Sequence, residues 1–165
     1  RQLLFISYCE EVNERLVSCT GITCLWLRYG NHSVLKTAKI GSASWHIDGV
    51  PFGWNIGYGF GDCSAASENM LFYNGKAHKL SQVTFHIPGD EKDFLSPWTF
   101  DSDDGRFQMD FTPVMDRASC TDVKLIKSDQ HQVFGKLSGT AILDDGTKLE
   151  LKDVVCFAEK VRNRY

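Results

Sequence analysis

Three glycine-closed turns constrain this chain more than any other feature. Asn74-Gly75, Asp103-Asp104-Gly105 and Asp144-Asp145-Gly146 each follow or precede a run of apolar or alternating residues. Asn-Gly is the pair that a type I′ turn demands, because both central residues need positive φ. Met70-Leu71-Phe72-Tyr73 leads into the first turn, and Val83 to Ile87 supplies the second run. Trp98-Thr99-Phe100 and Phe107 to Phe111 flank the second turn. The latter arm alternates apolar and polar residues with period two, the mark of a half-buried strand. Thr140 to Leu143 and Leu149-Glu150-Leu151 flank the third. Such turns imply at least three antiparallel hairpins.

The rest of the chain reads the same way. Ser42 to Ile47 alternates, with Ala43, Trp45 and Ile47 opposite Ser42, Ser44 and His46, and Asp48-Gly49 closes a turn before Pro51. Leu3 to Tyr8 and Leu16 to Cys19 can pair across the polar stretch Glu10 to Glu14, which can also form one helical turn, and Gly21 to Tyr29 is a further strand candidate. No long segment carries a 3.6-residue period, so only short helices are expected, at Ser64 to Asn69 or near the C-terminus. Glu91 to Pro97 reads as a loop between two prolines. No linker or repeat divides the 165 residues. The expectation is an all-β, antiparallel fold: a lipocalin-like (calycin-type) barrel or a β-sandwich, formed as one β domain over residues 1–165.

Charge and cysteine usage narrow the function classes. Eighteen basic residues against 21 acidic give −3, which argues against a nucleic-acid footprint and a polybasic membrane surface. No apolar run approaches the ~20 residues of a membrane span. The six cysteines form no C-x-x-C pair and several lie in apolar runs, such as Val154-Val155-Cys156-Phe157. They read as free thiols in a reducing, cytoplasmic compartment rather than as a disulfide or zinc framework. Asn31-His32-Ser33 matches the glycosylation acceptor pattern, which is common by chance.

One segment is unusual. Residues 52 to 69 read FGWNIGYGFGDCSAASEN. Gly53, Gly57, Gly59 and Gly61 match neither a dinucleotide fingerprint nor a phosphate loop, and no cofactor is expected. The bland reading is a bent or bulged strand. The functional reading is that the glycines clear room for a ligand. On an extended strand Trp54, Ile56, Tyr58 and Phe60 share one face, and Asn55 shares the other with glycines. Trp54, Asn55 and Tyr58, with Asn69 and Trp45, form the candidate binding set. Aromatics such as Trp45, Trp54 and Trp98 also serve as ordinary core. Glu68 is the candidate acid or base, since a carboxylate buried beside a ligand would titrate high; its bland fate is the surface. His78, three residues past the Asn-Gly turn, is the second candidate catalytic group. His131 lies between Gln130 and Gln132 and reads as an exposed loop residue. The histidines have no ligand-spaced partners, so no metal site is expected.

From Phe52 through Ser67-Glu68-Asn69 and Phe72 to Leu80 the chain resembles the domain-of-unknown-function family numbered 2804. A Gly-x-Asn-rich strand, a Thr-Glu-Asn-like triplet, a strand, a Gly turn and His-Lys-Leu follow in order. Here the triplet is Ser67-Glu68-Asn69, and the last element is His78-Lys79-Leu80. Pro97-Trp98, Asp103 to Arg106, Ser128 to Gly135, Ser138-Gly139-Thr140 and Leu143 to Gly146 fit the same pattern, as does Phe157 to Tyr165. The resemblance runs from about Trp26 to Tyr165. That family's proteins are about double this length, so the resemblance implies a C-terminal half whose partner is the missing N-terminal half. It implies no established activity. The family is similar in architecture to two-domain lipocalin-like proteins, which include carotenoid hydratases and fungal pericyclases, and this implies a calycin-like barrel of about eight strands.

Three functions follow as expectations. The first is a module that binds a small apolar or amphipathic ligand, lipid-like or isoprenoid-like, in a barrel cavity. The second is an enzyme that moves protons on such a molecule through Glu68, with Asn55 and His78 orienting it. The third is a structural half-domain.

Overall fold

The computed structural model describes residues 11–12, 15–16, 35–59, 67–123 and 126–164. It divides into two compact units, Arg1–Asn31 and His32–Tyr165. In the first, β1 (Glu11–Val12) pairs antiparallel with β2 (Arg15–Leu16), so the polar stretch takes part in the pairing itself. The strands expected at Leu3 to Tyr8 and Gly21 to Tyr29 lie outside the described residues, as do Cys9, Cys19, Cys24, Cys63 and Asn31-His32-Ser33.

The second unit is one antiparallel sheet. Its strands are β3 (Leu35–Ile47), β4 (Val50–Tyr58), β5 (Met70–Tyr73), β6 (Lys76–Lys79), β7 (Val83–His86), β8 (Trp98–Ser102), β9 (Phe107–Val123), β10 (Ile126–Ile142) and β11 (Lys148–Arg164). Their order is β6-β5-β4-β3-β11-β10-β9-β8-β7. Each strand lies beside its neighbour in sequence, and β11 returns to pair with β3. The ladder is interrupted only between β6 and β7, the two edges, which Leu80 to Gln82 connect. Edges so connected require a curled sheet. Phe85 N–H donates to Tyr58 Oη at 3.2 Å across the curl, and the rings of Trp54 and Phe107 lie 6.1 Å apart. The result is one barrel-like sheet rather than two facing sheets.

The concave face holds the core. Phe52, Trp54, Ile56, Phe85, Trp98, Phe100, Phe107 and Phe111 are all buried there. Phe85 meets Phe100 edge-on at 4.6 Å, and Trp98 and Phe111 continue the contact at 5.3 Å. Aromatic pairs in such geometry add about 1 kcal/mol each beyond area burial.

The turn chemistry explains the hairpins. Asn74 and Gly75 have φ of 49° and 74°, and Asp48 and Gly49 repeat the geometry at 50° and 82°. The arm after Asn74-Gly75 is not Val83 to Ile87, however. It is β6, Lys-Ala-His-Lys, which pairs with β5 from Tyr73↔Lys76 to Met70↔Lys79. A two-residue turn dictates that the next residues pair, whatever their polarity, and lysines suit an edge strand. Val83 to His86 instead pairs with β8 at the other edge.

Two bulges reset the alternation. Leu137 faces Val154 and Gly139 faces Leu151, so β11 carries one extra residue at Lys152-Asp153. Buried positions on β11 therefore run Leu149, Leu151, then Val154, Cys156, Ala158. Asp153 takes φ 53°, and its N–H donates to Ser138 Oγ at 2.9 Å. The second bulge lies on β9, where Phe134 faces Met115 and Gly135 faces Pro113, which leaves Val114 unpaired. Proline within a strand is tolerated at such a site.

Helix is nearly absent among the described residues. Ser67 to Asn69 is not helical, and the C-terminus is strand to Arg164. The four-residue α1 (Pro88–Glu91) is a left-handed turn, with φ of 61°, 54° and 61° at Gly89, Asp90 and Glu91. Among the described residues no helix is long and apolar enough to cross a membrane.

Candidate functional site

The glycine-rich strand does bring several of the candidate residues together. A Cβ on Gly57 would lie 2.5 Å from Glu68 Oε1 and 2.9 Å from Lys39 O, so the missing side chain is what lets the carboxylate approach. Asn55 Nδ2 donates to Glu68 Oε2 at 3.0 Å, and Gly57 N–H donates to Asn69 Oδ1 at 2.8 Å. Asn69 is fully buried, and its Nδ2 donates to Ser81 O at 3.0 Å. Lys79 Nζ donates to Ser67 Oγ at 2.8 Å and to Asn69 O at 3.0 Å. Burial pulls the Lys79 ammonium below the usual lysine range, and the nearby Glu68 charge only partly offsets this. Glu68 itself is exposed.

The other candidates lie elsewhere. Trp54 and Tyr58 point into the concave face, away from Asn55. Trp45 is 40% exposed. His78 is buried and Nδ1 accepts the N–H of Asp144 at 3.3 Å, at the turn between β10 and β11. Arg106 secures that turn, donating to Asp144 Oδ1 at 2.6 Å, Ile142 O at 2.9 Å and Lys79 O at 2.9 Å.

A different constellation occupies the open end of the curl. A groove of about 650 Å³ runs between the α1 turn and the ends of β9, β10 and β11. Glu91 and Lys160 of its lining belong to an ion triplet with the buried Lys39. Lys39 is 6% exposed, and its ammonium pairs with Glu91 and lies 5.3 Å above the Tyr58 ring centre. Lys160 stands opposite Lys39 in the β11–β3 ladder and binds Glu91 twice, at 2.8 Å to Oε2 and 2.8 Å to the backbone carbonyl. Burial works against the Lys39 charge, but hydrogen bonds to Glu91 and Tyr58 outweigh it and hold the ammonium above its usual range. Asp90 and Glu91 are non-glycine residues in the left-handed region, a conformation that costs ~1–2 kcal/mol each and that a surrounding structure must enforce.

Beside the triplet, His131 Nδ1 lies 2.7 Å from Asp116 Oδ2, and Nε2 lies 3.7 Å from Asp129 Oδ1. His131 is therefore not a loop residue. It sits within β10, half-buried, with the Phe94 ring stacked on it at 3.8 Å and 10°. Arg162 pairs with Asp129 across the ladder but has no ion pair among the described residues. Leu95, 61% exposed, completes the rim. A smaller recess of about 270 Å³, lined by Lys127, Asp129, Arg162 and Arg164, adjoins it. Among the described residues no cluster of His, Cys, Asp or Glu has the arrangement to hold a metal ion.

The sequence did carry a signal for this groove. Lys127, Asp129 and His131 on one strand, and Lys160, Arg162 and Arg164 on another, recur at i, i+2, so each set shares one face. What the alternation lacked was the register that sets the two faces side by side.

A curled antiparallel sheet with a filled aromatic core and a polar groove at its open end defines a small barrel-type β domain. The family model for the domain of unknown function DUF2804 matches residues 28–165, and the chain belongs to that family. Among curated proteins and among solved structures, none matches the chain.

Proposed function

We propose that this domain binds a small amphipathic anion in the groove at the open end of the sheet. The apolar portion lies against Phe94 and Leu95, and the anionic head lies on Arg162. The observation that carries this reading is that an exposed leucine and an arginine with no ion pair among the described residues line the same groove. Sites for small molecules combine apolar walls with a few convergent polar groups. The concave interior supports the same placement, because large rings fill it, and Trp98, Phe107 and Phe111 have no exposed surface.

Titration with dodecanoate and with dodecanol, followed by calorimetry, tests the proposal. The carboxylate is expected to bind about tenfold more tightly than the alcohol, the ~1.4 kcal/mol of one charge-assisted hydrogen bond. Arg162→Gln should erase that preference, and Leu95→Ser should weaken both ligands. Equal affinity for acid and alcohol in the parent chain, or a preference that survives Arg162→Gln, sinks it.

A further inference from the structure

The β9 bulge breaks the rule that apolar residues go inside. Phe107, Met109 and Phe111 alternate inward, and the same period carried onward would turn Met115 inward and Asp116 outward. The extra residue Val114 reverses this. Met115 becomes 53% exposed and Val114 70% exposed, while the Asp116 side chain keeps only 17% of its surface. Asp116 Oδ1 is buried without a hydrogen-bond partner among the described residues. Bulges recur beside active sites, where they re-aim a side chain, and a local rule broken without structural gain marks a functional position. Here the bulge accommodates Pro113 and, beyond that, brings Asp116 to His131.

We propose that His131 and Asp116 form a proton-transfer centre in this groove, with His131 Nε2 as the base that takes and returns a proton on a small carbon acid. This rests on the groove being the ligand site. His131 is the catalytic residue and Asp116 the positioning residue. A carboxylate can only accept, so Nδ1–H donates to Asp116 and the neutral ring carries its lone pair on Nε2. Nε2 is beyond hydrogen-bond distance of Asp129, and the stacked Phe94 fixes the ring plane. Nε2 takes a proton from the carbon between the carbonyl and the C=C bond of a β,γ-unsaturated carbonyl compound, the electron pair delocalises onto the carbonyl oxygen as a dienolate, and the imidazolium returns the proton to the far alkene carbon, so that the double bond moves into conjugation. Substrate and product are isomers, and nothing is oxidised or reduced. Asp116 and Asp129 flank the charged imidazolium, while Asp90, Glu91, Lys92, Asp93, Lys160 and Arg162 are the other charged groups around the groove.

The test uses 5-nitrobenzisoxazole, an uncharged carbon acid. A base removes the C3–H proton of its isoxazole ring as the N–O bond breaks, and the product, 2-cyano-4-nitrophenolate, is read by its absorbance. The parent chain should accelerate this reaction over buffer with a single-titration pH profile. His131→Gln should abolish at least about a hundredfold of that rate, in line with general-base catalysis. Asp116→Asn, close in shape, should lower the rate and alter the pH profile, because an amide does not stabilise the imidazolium; it carries the test if His131→Gln fails to fold. A parent rate equal to that of His131→Gln, or one pH profile shared by parent and Asp116→Asn, overturns the proposal. The probe has no anionic group, so its turnover does not require Arg162, and failure here is distinguishable from failure of the dodecanoate experiment.

Discussion

Asn69 Oδ1 accepts the Gly57 N–H at 2.8 Å while the other end of the same amide donates to Ser81 O. One fully buried side chain thus ties β4 to the junction between the two edge strands. Removing it strands a buried donor, Gly57 N–H, and a partly buried acceptor, Ser81 O, and such losses cost ~1–3 kcal/mol each. Asn69→Ala should lower the unfolding free energy by about 3 kcal/mol, read from urea denaturation. A change below about 0.5 kcal/mol would show that the junction holds without it.

Gly57→Ala should destabilise by about 2 kcal/mol, because Lys39 O would lie 2.9 Å from the new Cβ and backbone cannot retreat as a side chain can. Adding Glu68→Ala should restore only the part that came from the carboxylate. Full recovery in the double variant would place the whole conflict on Glu68.

Glu91 and Glu159 should respond to acid in opposite senses. Burial opposes the Glu91 charge, but hydrogen bonds from Lys160 and Lys39 outweigh it and depress its titration below the ordinary value of 4.5. A depressed carboxylate stabilises the fold above that value, and the contribution disappears as pH falls through the folded one. Burial pushes Glu159 up, and hydrogen bonds from Gln130 and Gln132 only partly offset it. It supports the fold while protonated and withdraws that support as pH rises through the ordinary value toward the folded one. Glu91→Gln should therefore flatten the acid limb of stability against pH. Glu159→Gln should raise the urea midpoint at pH 7. Unchanged curves for both variants would refute the assignments.

Cys120 and Cys156 should differ in thiol chemistry. Cys156 is buried, and burial pushes its thiol up to about 12, so almost no thiolate forms at neutral pH. Cys120 is exposed. Iodoacetamide at pH 8 should label Cys120 and spare Cys156 until urea is added, as peptide mass spectrometry would show. Rapid labelling of Cys156 in the native chain would contradict its burial.

The all-β class and the turns were legible because turn chemistry is local: Asn74-Gly75 and Asp48-Gly49 demand positive φ wherever they occur. Strand partners are less local. β6 is hard to see because Lys-Ala-His-Lys has no apolar face, and the far halves of β9 and β10 are hard to see because Arg117 to Asp122 and Lys127 to Gln132 carry no face of large apolar residues. The bare glycine face beside Asn55 was legible, but that Glu68 and Asn69 fill it was not. Nor was the groove. Its assembly needs the Val114 bulge to turn Asp116 inward, the β10–β11 register to place His131 opposite Lys160, and a left-handed turn to deliver Glu91. None of these is a property of a short window of sequence.

The strand order also has a kinetic consequence. β3 to β6 form one meander and β7 to β11 another, each made from neighbours in sequence. A single ladder, Leu35↔Arg164 to Ser42↔Phe157, joins the two. Hairpins close cheaply and fast, so nearly all the entropy of long loop closure falls on that one docking step. Until it happens both aromatic half-faces stand open to water and to other chains. That interval ends only when β11 docks on β3, and exposed apolar faces of this kind are where folding competes with aggregation.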